Sequence, residues 1–112
     1  MRGMDALPEI VTNHLDEVRA LCEKYSVKRL MVFGSAAKGT FDPDKSDIDF
    51  AVEFLPHPDP LERGRFYLDL LVALQRLFER NVDLVSVSAI ENPYFKEVLR
   101  LTQRPLYDAE AA

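Results

Sequence analysis

Residues 46–52 read Ser-Asp-Ile-Asp-Phe-Ala-Val and combine a strand pattern with two closely spaced acids. Alternate side chains of a strand share a face, so Asp47 and Asp49 are expected on the same side of the sheet. Their Cα atoms would lie ~7 Å apart, near enough for two carboxylates to hold a cation between them. Hard cations such as Mg²⁺ neutralise clustered carboxylates and leave room for phosphates. A solvent-exposed strand end carrying two hydrated aspartates is the simpler alternative.

A glycine-containing segment stands upstream, directly after the apolar stretch 27–33, which predicts a strand. It reads Gly34-Ser35-Ala36-Ala37-Lys38-Gly39. Glycine lets the chain turn sharply and approach a ligand closely. Free N–H groups at a helical turn starting near Ser35 would favour a phosphate. The Lys-Ser/Thr pair of a P-loop is missing, which excludes that motif. A tight turn without a ligand also fits the pattern.

A third acid, Asp83, lies inside the aliphatic segment 82–85, which predicts another strand. Aspartate is depleted in strands, so its presence there needs a reason. One is an edge position or an ion pair with a helix. The other is a place beside Asp47 and Asp49 on a neighbouring strand, where it would bind a metal or accept a proton from an attacking hydroxyl.

The remaining periodicity predicts helices packed on a small sheet. Apolar spacing of three and four residues indicates an amphipathic helix over residues 5–25. Asp59-Pro60 and Asn92-Pro93 are typical helix starts, for helices over 60–80 and 93–101. Strands are predicted at 27–33, 47–54 and 81–87, with a short edge strand at 106–107. The fold class is therefore α/β or α+β, with a mixed sheet of three to four strands.

Length and composition restrict the kinds of protein that are compatible with this chain. Its 112 residues predict one domain over 1–112, with core motifs at 27–87 and a frayed tail at 108–112. The sequence contains no run of 18 apolar residues, so no membrane-spanning helix is predicted. A single cysteine rules out an internal disulfide and fits the cytoplasm. The formal net charge of −5 argues against direct nucleic-acid binding.

Taken in order, the motifs resemble the DNA polymerase β-type nucleotidyltransferase superfamily. The motifs are Gly34-Ser35-x-x-x-Gly39, then Ser46-Asp47-Ile48-Asp49, then Asp83. Within that superfamily the chain is similar to the minimal nucleotidyltransferases, or MNT/MntA-type antitoxins, that pair with HEPN-domain toxins. The resemblance implies the polymerase β-like nucleotidyltransferase fold. It spans the motif region closely and, through size and helix order, nearly all of the chain.

Residue roles follow from that resemblance. The nucleotide-binding set would be Gly34, Ser35, Lys38, Gly39 and Ser46. The catalytic and metal-binding set would be Asp47, Asp49 and Asp83, holding two Mg²⁺ ions, with ATP as the substrate. Many minimal relatives carry an arginine in the Gly-Ser loop, whereas this chain has two alanines there. Lys38 is then the only base in the loop, and we expect it to meet a phosphate as a point charge.

The activity implied by the resemblance is transfer of AMP from ATP to a hydroxyl, expected to be a tyrosine, on a partner HEPN toxin. The protein would act as the antitoxin of a type VII-like toxin–antitoxin module and form a hetero-oligomer with the toxin, away from membranes. One alternative is a non-catalytic antitoxin that neutralises its partner by contact. The other is an aminoglycoside-like nucleotidyltransferase acting on a small molecule.

Overall fold

A computed structural model describes residues 7–34, 37, 42 and 47–110. The two N-terminal helices are α1 (Glu9–Thr12) and α2 (Leu15–Lys24). Strands β1 (Val27–Phe33) and β2 (Ile48–Phe54) follow, then the long helix α3 (Pro60–Phe78) and strand β3 (Val82–Ser86). A 3-10 turn over Val87–Ala89 leads to α4 (Pro93–Thr102) and to strand β4 (Arg104–Asp108).

The four strands form one mixed sheet in the order β3-β2-β1-β4. Strand β1 pairs antiparallel with both β2 and β4, whereas β2 and β3 run parallel. This confirms the predicted fold class, a mixed sheet packed with helices. The parallel pair follows from the connection between β2 and β3, which consists mainly of helix α3. Such a crossover brings the chain back to the end of the sheet at which β2 began, so β3 runs parallel to β2. An antiparallel pair would need only a short turn.

The two faces of the sheet carry separate apolar clusters. On one face, Ile48, Phe50 and Val52 of β2 are fully buried against residues of α2 and α3. On the other face, Ala51 joins Met31 and residues of α4. Because side chains alternate along β2, Asp49 shares this second face with Ala51. The face that carries Asp49 is therefore the one covered by α4.

The predicted helix over residues 5–25 is interrupted in the structure, and this expectation was wrong. α1 ends at Thr12 and α2 begins at Leu15, with His14 between them. The Nδ1 atom of His14 lies 2.8 Å from the Ile10 carbonyl oxygen. Its ring contacts the Phe78 ring at a centroid distance of 5.4 Å. Because this tertiary contact and the side-chain bond hold His14 away from regular helical geometry, the helix is divided.

Both predicted helix caps are present. The Asp59 side chain accepts a hydrogen bond of 2.9 Å from the Leu61 N–H at the start of α3. Asn92 Oδ1 accepts from Tyr94 N–H at 2.8 Å and from Phe95 N–H at 3.2 Å at the start of α4. These bonds satisfy N–H groups that have no partner within the helix.

The chain beyond α4 pairs with β1. Asp108 is the last residue of edge strand β4 and pairs with Arg29. The Ala109 N–H donates to the Lys28 carbonyl at 2.8 Å. Backbone pairing with β1 therefore reaches residue 109, and the fraying of the tail stays a prediction. In the described ranges, no helix is long and apolar enough to cross a membrane.

Candidate functional site

Two acidic residues meet at the edge of the sheet where β2 and β3 begin. Asp49 and Asp83 are register partners in the parallel pair, so their side chains leave the sheet next to each other. A hydrogen bond joins the two carboxyl groups. Asp49 is half-buried, whereas Asp83 is exposed. Asp83 therefore lies beside Asp49 on the neighbouring strand, and this strand is also an edge strand, so both placements that the sequence pattern left open are met.

The surroundings of Asp49 favour its protonated form. Burial, the hydrogen bond and charge of Asp83, and the charge of Asp47 together raise the pKa of Asp49 to about 6. Burial is the largest of these causes, and the two acids add to it because a second negative charge opposes ionisation. At neutral pH the negative charges of this carboxyl pair repel each other, and either a proton or a bound cation would reduce that repulsion.

Asp47 stands just before β2 and is exposed. Its charge acts on Asp49, but the three carboxylates do not converge on one point. Across the described part of the chain, no three His, Cys, Asp or Glu side chains are placed to hold a metal ion together. The structure thus brings Asp49 and Asp83 together and leaves Asp47 nearby, and the three-carboxylate metal site stays a prediction.

Gly34 follows the last residue of β1 and lies directly beside Asp49. Its neighbour Phe33 is the register partner of Asp49, and Gly34 has a φ of +65°. A Cβ atom at this position would lie 3.3 Å from Asp49 Cγ and closer still to its Oδ2. Only glycine combines this backbone conformation with so close an approach to the carboxylate.

The glycine-containing loop is described at few positions. Ala37 is helical, and its N–H donates to the Gly34 carbonyl at 3.1 Å. This agrees with a helical turn starting after β1. Four predicted nucleotide-binding residues lie outside the described residues, and their roles stay predictions: Ser35, Lys38, Gly39 and Ser46.

Phe33 and Phe95 form an apolar wall beside the carboxyl pair. Their rings meet edge to face at a centroid distance of 5.9 Å, on the face of the sheet that carries Asp49. Sequence reasoning did not assign Phe33 to the site. The available signal was its place one residue before Gly34, because the last strand residue before a ligand-binding turn borders the ligand.

Other features of the molecule do not belong to this site. A cavity of about 570 Å³ lies at the opposite ends of β2 and β3, and its lining includes Arg63, Tyr67 and Ser86 but neither carboxylate. Cys22 is buried in the core, and burial raises the pKa of its thiol to about 12. A thiol so protonated and enclosed is not a nucleophile.

The donor chemistry of the carboxyl pair fits a hard divalent cation. Asp49 and Asp83 supply carboxylate oxygens, the ligands that Mg²⁺ takes. A cation between them would replace the shared proton and remove the repulsion that raises the pKa of Asp49. Asp47, two residues before Asp49, is close enough for its charge to act on Asp49 and is a further carboxylate for such a cation.

Residues 18–102 match the family model described as the nucleotidyltransferase domain. The chain belongs to this nucleotidyltransferase family. Among curated relatives, a Methanocaldococcus jannaschii protein named "Putative protein adenylyltransferase MJ0128" is 38% identical over 97 residues. The matched region covers 87% of this chain and 91% of that protein.

Solved structures agree with the assignment of this nucleotidyltransferase to the minimal, MNT-type class. One described as a "putative minimal nucleotidyltransferase" is 28% identical, with a TM-score of 0.67, covering 92% of this chain and 99% of the other. Two more distant structures share the fold. A toxin–antitoxin complex with AMP-PNP is 22% identical, with a TM-score of 0.60 and coverage of 86% and 74%. A tri-AMPylated Shewanella oneidensis HEPN toxin in complex with MNT antitoxin is 20% identical, with a TM-score of 0.54 and coverage of 88% and 73%.

Proposed function

We propose that this nucleotidyltransferase transfers AMP from ATP to a hydroxyl group of a partner HEPN toxin, and so acts as the antitoxin of a type VII-like module. The observation that carries the proposal is the Asp49–Asp83 pair with Gly34 against it. Two hydrogen-bonded carboxyls lie beside a left-handed glycine turn, where a cation and a phosphate could be held together. The curated relative supports a protein as the acceptor, and the distant solved complex supports a HEPN partner.

The roles of the residues follow from their positions. Gly34 has no side chain, so a phosphate could approach both the backbone after β1 and Asp49 closely. Asp47, Asp49 and Asp83 would hold two Mg²⁺ ions, which would neutralise the triphosphate and lower the pKa of the attacking hydroxyl. Ser35, Lys38, Gly39 and Ser46 would hold the phosphates from the loop.

The transfer step balances without a further reagent. The acceptor oxygen forms a bond to the α-phosphorus, and the bond from that phosphorus to the oxygen bridging to the β-phosphate breaks. Pyrophosphate leaves with the bridging oxygen. The hydroxyl proton passes to a carboxylate of the Asp49–Asp83 pair and from there to water. We propose a tyrosine as the source of the hydroxyl.

Label transfer in an extract of the source cells tests this proposal. The purified protein is supplied with Mg²⁺ and ATP labelled on the α- or the γ-phosphate. We expect a polypeptide to take label from α-labelled ATP alone, and its modified residue, identified by mass spectrometry, to be a tyrosine. Asp83→Asn should abolish the labelling, whereas the matched control Asp16→Asn, exposed on α2, should retain it.

Two results would overturn the proposal. If the toxin is bound and present but carries no label, the protein neutralises it by contact alone. If the label from α-labelled ATP appears in a small molecule and in no polypeptide, the acceptor is of a different class. Label transferred from the γ-phosphate would identify a kinase instead.

A further inference from the structure

The outer face of helix α3 carries apolar side chains that nothing in the described chain covers. The inner face packs Leu70, Leu74 and Phe78 into the core. On the opposite side, Leu61 is 77% exposed, Leu68 58% and Val72 42%. Three large aliphatic side chains on one exposed stripe are more than the isolated surface residues that every protein shows.

The stripe has the spacing of a helix-pairing seam. Leu61, Arg65, Leu68 and Val72 follow one another at intervals of four, three and four residues. At 100° per residue they fall within a sector of about 60°. So narrow a stripe is typical of the seam between two paired helices, whereas a helix packed on a sheet presents a broader apolar face. The inner face of α3 has that broader form, so the seam serves a second contact, made to another helix.

We propose that this seam, defined as Leu61, Arg65, Leu68 and Val72, pairs antiparallel with the same seam of a second copy of the chain. A two-fold axis near residues 66–67 sets Leu61 opposite Val72 of the second copy, and Arg65 opposite its Leu68. The same axis brings Arg65 next to Asp69 of the second copy, and the symmetry makes that ion pair twice.

The charges select the antiparallel arrangement. A parallel pair in register would set Arg65 against Arg65 and Asp69 against Asp69, and like charges facing each other are destabilising. In the antiparallel pair, Arg65 exchanges its exposed contact with Glu62 within the helix, at 3.2 Å, for Asp69 across the seam. Each copy carries a net charge of −5, so added salt screens the repulsion between the copies and also screens the Arg65–Asp69 ion pairs. Loss of either seam charge, by contrast, should only weaken the dimer.

The area of one helix face sets the strength of the contact. Stable interfaces bury roughly 1,200–2,000 Å², and a single helix pair buries less. The dimer should therefore dissociate on dilution. The seam lies on the outside of α3, away from Asp49 and Asp83, so the proposal does not depend on the catalytic function.

Sedimentation velocity over a range of protein concentrations tests the association. We expect a shift from monomer to dimer as concentration rises. Leu68→Glu should weaken the dimer by at least about tenfold in Kd. The matched control is Leu101→Glu on α4, where the leucine is 67% exposed, and it should leave the dimer unchanged. Arg65→Asp alone should weaken the dimer, and Arg65→Asp combined with Asp69→Arg should restore it.

Disulfide trapping tests the direction of the helices. The only native cysteine, Cys22, is buried, so new cysteines react without a competing native thiol. A mixture of Leu61→Cys and Val72→Cys proteins should form a heterodimeric disulfide. Either variant alone should not form a disulfide, since the introduced cysteines of its two copies would lie about 16 Å apart along the helix axis.

Three outcomes would overturn the proposal. The first is a monomer at every concentration. The second is self-trapping of Leu61→Cys, which would indicate parallel helices. The third is a monomer in which Leu68→Glu abolishes binding of the protein acceptor, because the seam would then belong to the acceptor. Failure of the label-transfer experiment, by contrast, leaves this result unaffected.

Discussion

Asp49 Cγ lies 3.3 Å from the point that a Cβ atom on Gly34 would occupy, and its Oδ2 lies closer than 3.0 Å. The Asp49 carboxylate therefore occupies space next to Gly34 that a Cβ atom at this position would need. Because Asp49 also pairs with Asp83 across β2 and β3, this one approach links the glycine turn to both carboxyls of the candidate site.

Gly34→Ala should damage both folding and activity. The left-handed φ of +65° costs a residue with a Cβ atom about 1–2 kcal/mol, and the methyl group must push Asp49 aside. A displacement of about 1 Å at a reacting centre costs roughly 100-fold in rate, so we expect at least that loss in label transfer. Urea unfolding and the transfer assay measure the two effects.

Gly64→Ala is the matched control for Gly34→Ala. Gly64 lies inside α3, and no atom comes within 4 Å of its Cβ position. Alanine should stabilise the helix there by about 0.5–1 kcal/mol and leave transfer unchanged. Equal effects of the two substitutions would contradict the role assigned to Gly34.

Asp49→Asn should make the metal-free protein more stable at neutral pH. The pKa of Asp49 is raised to about 6 from an ordinary 3.8, so between those values the folded state binds a proton that the unfolded chain does not. The stability linked to this proton is complete below about pH 4 and lost as pH rises through 6. Asparagine resembles the protonated acid, so it removes that loss.

Urea midpoints at pH 4, 5, 6 and 7.5 in the presence of EDTA measure this effect. The difference between Asp49→Asn and the native protein should be near zero at pH 4 and should grow in favour of the variant up to pH 7.5. Asp16→Asn controls for the general loss of a negative charge. A native protein more stable than Asp49→Asn at pH 7.5 would show that the site is not electrostatically strained.

Magnesium should stabilise the native protein at pH 7.5. A cation that binds only the folded state adds stability that grows with its concentration, about 2.7 kcal/mol at 100 times its Kd. For a chain of this size each kcal/mol raises Tm by about 4–8 °C. Neither Asp49→Asn nor Asp83→Asn should respond as strongly. An identical rise in Tm in all three proteins would locate magnesium elsewhere.

Asn92→Ala should destabilise the protein by about 1 kcal/mol. The side chain of Asn92 accepts two hydrogen bonds from N–H groups at the start of α4, and alanine leaves both without that partner. Phe95 lies in this first turn and packs on Phe33 beside Asp49, so transfer should fall as well. Asn81→Ala, exposed before β3, should change the free energy of unfolding by less than about 0.5 kcal/mol.

Local sequence signals predicted most of the secondary structure. Asp59-Pro60 and Asn92-Pro93 marked helix starts because a side-chain oxygen next to a proline satisfies the first free N–H groups, whatever the rest of the chain does. The alternation over 48–52 likewise identified β2. The division between α1 and α2 was not predictable in this way, since it depends on the contact of His14 with Phe78, 64 positions further along the chain.

The sequence by itself determined which residues are candidates for the chemistry: an aspartate pair at alternate positions, a glycine turn after a strand, and a third acid in an aliphatic strand. Only the tertiary structure decided which of them meet. Asp49 and Asp83 became neighbours through the parallel register of β2 and β3, while Asp47, just before β2, stayed outside that pair. The physical reason is that side-chain alternation is local, whereas register depends on burying Ile48, Phe50 and Val52 against two helices at once.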